Sequence, residues 1–289
     1  MRASALIALF AGATCIALSP IWVRLADVGP TASAFWRVAL AVPLLWAAAA
    51  LAARGRATPD RRQRWLLAAA GLAFAGDLVF WHWSIQLTSV ANSTLLANLS
   101  SIFVTLAAWL LWRQIPTRTF LVGLLLALAG VALLVRSSLG FSATALVGDA
   151  LGVITAMFYA WYLLTVKRLR DLGAATLQLM AVTTALTAAI LLPVALASGE
   201  TMLPASARGW LVLLGLAWIT HAGGQGLITY ALAHLRAAFS SVGLLLQPVM
   251  AAMFAWMLLG EPLVALQFAG GAVVLAGIYL AGRGSKGSE

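Results

Sequence analysis

The sequence predicts an all-α integral membrane protein with ten transmembrane helices, arranged as two inverted five-helix repeats with both termini in the cytoplasm. Three observations carry this prediction: an apolar composition, an asymmetric distribution of basic residues and an internal repeat. Of the 289 residues, 63% are hydrophobic and only 9% are charged. Soluble domains carry about 25% charged residues, so this composition indicates a membrane protein.

Apolar runs long enough to cross a membrane occur ten times along the chain. A helix crosses the hydrocarbon core with about 20 residues. On that basis the predicted spans are, in order, 4–23, 31–52, 65–87, 90–112, 118–136, 147–167, 174–197, 209–232, 238–258 and 263–282. The first run is longer than the core of a signal peptide, so we expect it to be retained. Only 54–64 and 198–208 are long enough to form substantial loops.

The basic residues predict the orientation of these spans. With the N-terminus in the cytoplasm, the inner segments carry 14 of the 18 lysines and arginines, and such a bias marks the cytoplasmic side. The outer side keeps Arg24, Arg37, Arg136 and Arg208, and Arg37 is expected to extend from its helix toward the membrane surface. Most tryptophans fall near span ends, as in an aromatic belt, whereas Trp81 lies a turn deeper.

An internal repeat divides the chain. One offset of 147 residues aligns Trp83 with Tyr230 and Trp109 with Trp256. We therefore predict two repeated units, 1–137 and 147–282, followed by a short cytoplasmic tail at 283–289. Each unit contains five spans, an odd number, so the second unit is expected to enter the membrane with the opposite orientation, as in many secondary transporters.

Polar residues inside the apolar spans are the candidate site residues. An ionisable group at the centre of a membrane helix costs about 2.5–3.5 kcal/mol and is usually retained for function. The predicted substrate-binding residues are Asp77, His82, Asn98, Tyr159, Trp161, Tyr162, His221, Gln225 and Gln247. Asp77 and His221 fall near the midplane on equivalent spans. Pro20 and Pro248 are the predicted hinges or kinks, because proline removes a backbone hydrogen bond.

Structural roles compete with this interpretation. Asp77 could form a buried ion pair with Arg37 and not bind substrate. The tyrosines and Trp161 could serve only to pack the helices together. Serine and threonine stripes in membrane helices more often join helices than bind substrate. The sequence contains no nucleophile–base constellation and no metal-ligand spacing, so we expect neither an enzyme nor a cofactor, and no nucleic-acid partner.

Four segments carry a resemblance to a known family. The segments 87–96 (LTSVANSTLL), 238–248 and 260–262 (GEP), together with Arg37 after Phe35 and Trp36, resemble the EamA-type branch of the drug/metabolite transporter superfamily. The resemblance covers nearly the whole chain and implies ten spans in two inverted repeats and export of amino acids or other metabolites. The chain departs from the family pattern at 113–116 (RQIP), where Gly-Glu is frequent.

The resulting expectation is a multi-pass secondary transporter of the bacterial inner membrane that exports small metabolites, most of all aromatic amino acids. Asn98, Gln225 and Gln247 would bind the backbone groups of the substrate, while the aromatic residues pack its side chain and Asp77 or His221 couples to protons. The expected partners are this substrate and membrane lipid, and we expect a monomer. A passive facilitator, a carrier of nucleosides, sugars or cationic drugs, and a membrane scaffold are the alternatives.

Overall fold

The computed structural model describes residues 3–52, 59–88, 90–135, 143–260 and 262–286, without the side chains of 90–92, 135, 143, 144 and 286. Every regular element in these ranges is a helix, which confirms the all-α prediction. Nine helical segments there are long and apolar enough to cross a membrane, and Arg118–Leu134 is a shorter apolar helix. The predicted features at Arg2, Arg54, Arg56, Arg136 and Glu261 lie outside the described residues.

The helices follow the predicted spans, and several spans consist of two consecutive helices. The first half contains α1 (Ala3–Ala17), α2 (Ser19–Leu25), α3 (Pro30–Ala39), α4 (Ala41–Ala52), α5 (Arg61–Leu87), α6 (Val90–Ala97), α7 (Ser100–Trp112) and α8 (Arg118–Val135). The second half contains α9 (Ala143–Asp171), α10 (Thr176–Ala197), α11 (Ala207–Gly215), a π-helix (Leu216–Gln225), α12 (Gly226–Ala231), α13 (Ala237–Gly243), α14 (Leu246–Leu259) and α15 (Ala265–Lys286).

Helix α5 begins four residues before the predicted start of its span. Asp60 caps it, because its carboxylate accepts a hydrogen bond from the Gln63 backbone N–H at 2.6 Å. The Gln63 side chain returns a bond to the Asp60 N–H at 3.2 Å, which completes a capping box. A polar helical turn therefore extends the apolar span beyond the range that hydropathy alone predicts.

Three helix breaks lie just before a proline. Pro20, Pro43 and Pro248 each fall in the first turn of the second helix of a broken span. A proline ring clashes with the carbonyl four residues earlier, so the preceding helix ends within that distance or close to it. The predicted kink residues Pro20 and Pro248 therefore both lie beside interruptions of their helices.

The break between α6 and α7 occurs without a proline. Here the Asn98 side chain donates a hydrogen bond from Nδ2 to the Thr94 carbonyl oxygen at 2.7 Å. A side-chain amide that bonds to the backbone competes with the regular helical pattern. The next N–H, that of Leu99, bonds to Leu96 in a tighter turn at 3.0 Å.

The two halves pack in matched ways. Helix α5 packs against α9, and its repeat counterpart, the π-helix with α12, packs against α1. The last helices of the two halves, α8 and α15, pack together through glycines of both helices. A Cβ atom on Gly130 would lie 2.6 Å from the Val274 nitrogen, and one on Gly270 would lie 2.8 Å from the Gly130 oxygen. Only glycine permits this close backbone approach.

Two carboxylates join the halves where the loop after α2 meets the loop after α10. Glu200, from the second half, accepts hydrogen bonds from the backbone N–H groups of Thr31 and Ala32 at 2.7 and 3.1 Å, which cap α3. Asp27, from the first half, accepts bonds from the Ala205 N–H and the Ser206 hydroxyl at 3.2 and 3.1 Å, just before α11. We call this region the Asp27–Glu200 contact.

Candidate functional site

A cavity of about 140 Å³ lies between the two halves. Its polar lining comes from both of them: Arg37, Asp77 and Asn98 from the first half, and Tyr159, Gln225 and Gln247 from the second. Small-molecule sites usually occupy about 300–1,000 Å³ and combine an apolar wall with a few polar groups. This cavity is smaller than that range, but its wall has the same composition, mostly apolar with a few polar groups.

Interrupted helices border the cavity. The breaks beside Pro20, Asn98 and Pro248 all contribute lining residues, and the π-helix ends at Gln225, which also lines it. Irregular backbone is tolerated at membrane depth where it lines a cavity or is buried in protein. The proline and asparagine positions that interrupt the helices therefore serve the same region of the molecule.

Arg37 points into the cavity. Its side chain is only 7% exposed, and its Cζ atom lies 6.0 Å from the centroid of the Phe74 ring. Among the described residues its one hydrogen bond runs from Nη1 to the Ser19 hydroxyl at 3.3 Å, and Nε has no partner there. The expectation that Arg37 extends to the membrane surface is therefore not met, because the polar cavity receives the guanidinium group instead.

Asp77 lines the same cavity from α5 and is half-buried. Within the described ranges, its carboxylate takes part in no hydrogen bond and in no ion pair within 4.0 Å. The alternative of a buried Arg37–Asp77 ion pair is thus absent from this structure. One cationic and one anionic group share the cavity without joining each other.

Aromatic side chains form one wall of the cavity in two layers. Phe74, Trp81 and Tyr159 line it directly. Tyr162 is 1% exposed and lies behind them, with its ring centroid 4.8 Å from that of Phe74 and 6.1 Å from that of Tyr159. Sequence reasoning missed Phe74, which carries no signal within an apolar span. Trp81 was also missed, although its position a turn deeper than the aromatic belt could have identified it as a cavity residue.

Four predicted site residues do not reach the cavity: His82, Trp161, Tyr162 and His221. Both histidines are 1% exposed, and in each ring one nitrogen has a hydrogen-bond partner among the described residues while the other has none. His82 Nδ1 lies 2.6 Å from the Leu78 carbonyl oxygen, and His221 Nε2 lies 2.8 Å from the Thr184 hydroxyl. The His221 ring also stacks on the Phe74 ring, with their centroids 5.3 Å apart. Trp161 is 40% exposed and lies on the outside of the helical bundle.

His221 and Gln225 lie on the same predicted span, 209–232, but their side chains contact different parts of the molecule. His221 and Gln225 are four residues apart, so α-helical spacing places them on one face. In the structure both belong to a π-helix, whose hydrogen bonds connect residues five apart. Gln225 lines the cavity, whereas His221 contacts Thr184 of α10. The two side chains therefore serve different neighbours.

A bundle of apolar helices whose two halves enclose a cavity with a few polar groups is typical of a multi-pass membrane transporter. Sequence comparison agrees with this class, since residues 3–136 and 146–283 both match the EamA-like transporter family. The chain belongs to the EamA-like transporter family. The exact ends of the two repeats, predicted at 1–137 and 147–282, stay a prediction.

Two proteins of the archaeon Archaeoglobus fulgidus, each described as an uncharacterized transporter, are similar to this chain. One is 31% identical over 271 residues, covering 90% of both chains. The other is 26% identical over 202 residues, covering 69% of this chain and 70% of its own. A protein of known crystal structure has the same fold, with a TM-score of 0.81, 18% identity and coverage of 98% of this chain and 99% of that one.

Proposed function

We propose that this transporter exports small metabolites across the inner membrane of a bacterial cell, with amino acids as the preferred class and aromatic amino acids preferred among them. The observation that carries the proposal is the composition of the cavity wall. Amide groups of Asn98, Gln225 and Gln247 offer donors and acceptors for backbone groups, and the rings of Phe74 and Tyr159 offer apolar surface. Aromatic rings stack favourably on such surfaces.

Alternating access is the proposed transport mechanism. The cavity is lined from both halves, so a rocking motion of one half against the other exposes it to each side in turn. Five spans per half invert the second half relative to the first. The distribution of basic residues supports cytoplasmic termini. The helix breaks beside Pro20 and Pro248 are the proposed hinges.

In this proposal Asp77 is the proton-coupling group. Asp77 lines the cavity, whereas His221 is already bonded to Thr184 behind Phe74. A carboxylate in the transport path can gain and lose a proton as the halves rock. Uptake by the Asp77→Asn variant, measured with and without an imposed pH gradient, tests this assignment. Gradient-dependent accumulation that persists in this variant would exclude Asp77 as the coupling group.

A cationic metabolite or drug is the second candidate substrate, and the unpaired Asp77 carboxylate favours it. Arg37 opposes it, because a guanidinium in the same cavity repels a cation. A zwitterionic substrate would therefore bind better with the Arg37 charge present, and a cationic substrate would bind better without it. A cation carrier would bind its substrate more tightly after removal of the Arg37 charge.

Proteoliposome uptake of labelled phenylalanine, tryptophan and threonine tests the proposed function. We expect saturable uptake of all three amino acids, faster for phenylalanine and tryptophan than for threonine. Labelled tetraphenylphosphonium serves as the cationic probe, and liposomes without protein as the control. Transport of the cation without any amino-acid flux would replace the amino-acid proposal with the cation proposal.

A further inference from the structure

We infer that Arg37 and Asp77 form a zwitterion-binding site, in which Arg37 binds the α-carboxylate of an amino acid and Asp77 binds its α-ammonium group. This inference rests on the proposed function and adds how the cavity recognises and orients the substrate. It makes these two residues the specificity-determining groups of the transporter.

The bonding of Arg37 is incomplete for a buried guanidinium. The group offers five N–H donors in a planar fork; in the described part of the chain Ser19 accepts one bond at 3.3 Å and Nε has no partner. The side chain is more than nine-tenths buried, and its Nε atom is shielded from solvent. A carboxylate fits this fork with two parallel hydrogen bonds, and such charge-assisted pairs are strong.

Asp77 lacks hydrogen-bond donors, just as Arg37 lacks acceptors. Its carboxylate lines the cavity and, across the described residues, accepts no hydrogen bond and forms no ion pair within 4.0 Å. A primary ammonium group donates three hydrogen bonds and carries the opposite charge. Asp77 therefore has the chemistry to bind the amine end of the same molecule.

The cavity wall carries one positive and one negative side chain, so a ligand with one charge of each sign matches it. Arg37 and Asp77 are the two charged residues among its described lining, and both come from the first half, on α3 and α5. The second half contributes uncharged groups such as Tyr159 and Gln247. A bound zwitterion would thus be anchored by its two charges to one half, while the remainder of the molecule contacts the other half.

This arrangement discriminates against singly charged analogues. An amine without a carboxylate leaves Arg37 unpaired and places a second cation beside it. An acid without an amine leaves Asp77 unpaired and places a second anion beside it. Unpaired buried charges and like-charge contacts both cost binding free energy, which is how a site rejects the wrong ligand.

The test compares phenylalanine with two analogues that each lack one charged group. Phenethylamine lacks the carboxylate, and 3-phenylpropionate lacks the amine. We measure how each unlabelled compound competes with uptake of labelled phenylalanine, and how each raises the melting temperature of the purified protein. In the unmodified protein, we expect both analogues to compete at least about tenfold more weakly than phenylalanine.

Charge-removing variants assign the two ends of the substrate. In Arg37→Gln, phenylalanine should bind about tenfold more weakly, and phenethylamine should now bind as well as phenylalanine. In Asp77→Asn, 3-phenylpropionate should become the equal of phenylalanine. Arg208→Gln and Asp171→Asn remove one charge of each sign at exposed positions outside the cavity lining and should keep the original order of ligands.

The outcomes separate this inference from the proposed function. Phenylalanine transport with equal competition by phenethylamine or 3-phenylpropionate in the unmodified protein would overturn the zwitterion site and leave the amino-acid function standing. Unchanged ligand order in well-folded Arg37→Gln and Asp77→Asn would also overturn it. Absence of any amino-acid flux or thermal stabilisation would remove the proposed function and this inference together. Since the first comparison needs no variant, a misfolded mutant does not prevent the test.

Discussion

Two acidic residues in this molecule stand in opposite bonding states. Glu200 accepts four hydrogen bonds: from the Thr31 N–H at 2.7 Å, the Thr31 hydroxyl at 2.9 Å, the Ala32 N–H at 3.1 Å and the Gln86 amide at 3.0 Å. Within the described parts of the chain, the carboxylate of Asp77 accepts none. Glu200 joins loops and helices of the two halves, whereas Asp77 faces the cavity.

The contrast between Glu200 and Asp77 separates groups that stabilise the fold from groups that are available to bind a ligand. A polar group whose hydrogen bonds are complete stabilises the fold, because removing it leaves its partners unsatisfied. A polar group that lacks partners contributes little to the fold and retains its bonds for a ligand. The Asp27–Glu200 contact should therefore control stability, and the cavity should control substrate affinity. Variants in each region test this division.

Replacing Arg37 with alanine should give the largest effect on transport. Truncating one member of a buried charge pair costs about 2–5 kcal/mol, so phenylalanine uptake at low concentration should fall about 30-fold or more. The melting temperature in detergent should not fall, since Arg37 makes a single long hydrogen bond with the described residues and an unpaired buried charge does not stabilise the fold. Initial uptake rates and thermal unfolding measure both. A large loss of stability with retained uptake would reverse the roles of the two regions.

Replacing Glu200 with alanine should give the largest effect on stability. It removes the acceptor of the Thr31 and Ala32 N–H groups, and unsatisfied donors or a lost helix cap cost about 1–3 kcal/mol each. We expect a lower melting temperature and an unchanged concentration for half-maximal phenylalanine uptake. Glu200→Gln is the matched variant. It keeps one acceptor oxygen and should lose less stability. Equal melting temperatures for Glu200→Ala and the unmodified protein would contradict the role of this contact.

Replacing Thr184 with valine should have a smaller effect that again falls on the fold. The change removes the partner of His221 Nε2, at a cost of about 1 kcal/mol. Substrate affinity should be unaffected, because His221 lies behind Phe74 and outside the cavity lining. The matched variant Thr155→Val changes a threonine that lines the cavity and bonds only to its own helix. Weaker phenylalanine uptake in Thr184→Val than in Thr155→Val would place His221 in the transport path.

The sequence predicts the apolar helices well, because hydropathy over 20 residues depends on composition and not on helix rotation. It cannot predict which side of a helix faces the cavity. Tyr159 and Tyr162 are equally aromatic, yet Tyr159 lines the cavity and Tyr162 lies behind it. The π-helix that separates His221 from Gln225 carries no sequence signal comparable to a proline. The inward direction of Arg37 depends on Ser19 and Phe74, which belong to other helices.

Replacing Trp161 with leucine should have the smallest effect. It tests whether Trp161 belongs to the aromatic wall of the cavity. Trp161 is two residues from Tyr159 on α9, and residues two apart do not face the same side of a helix. Tyr159 lines the cavity, whereas Trp161 is 40% exposed on the outside of the bundle. We expect Trp161→Leu to leave the ratio of phenylalanine to threonine uptake within about twofold, the range of a surface substitution. Tyr159→Leu, the matched variant, should lower that ratio, because a ring that stacks on the substrate contributes about 0.5–1.5 kcal/mol. If the two variants lowered the ratio equally, both rings would contact the substrate, and the boundary of the cavity would have to include the outer face of α9.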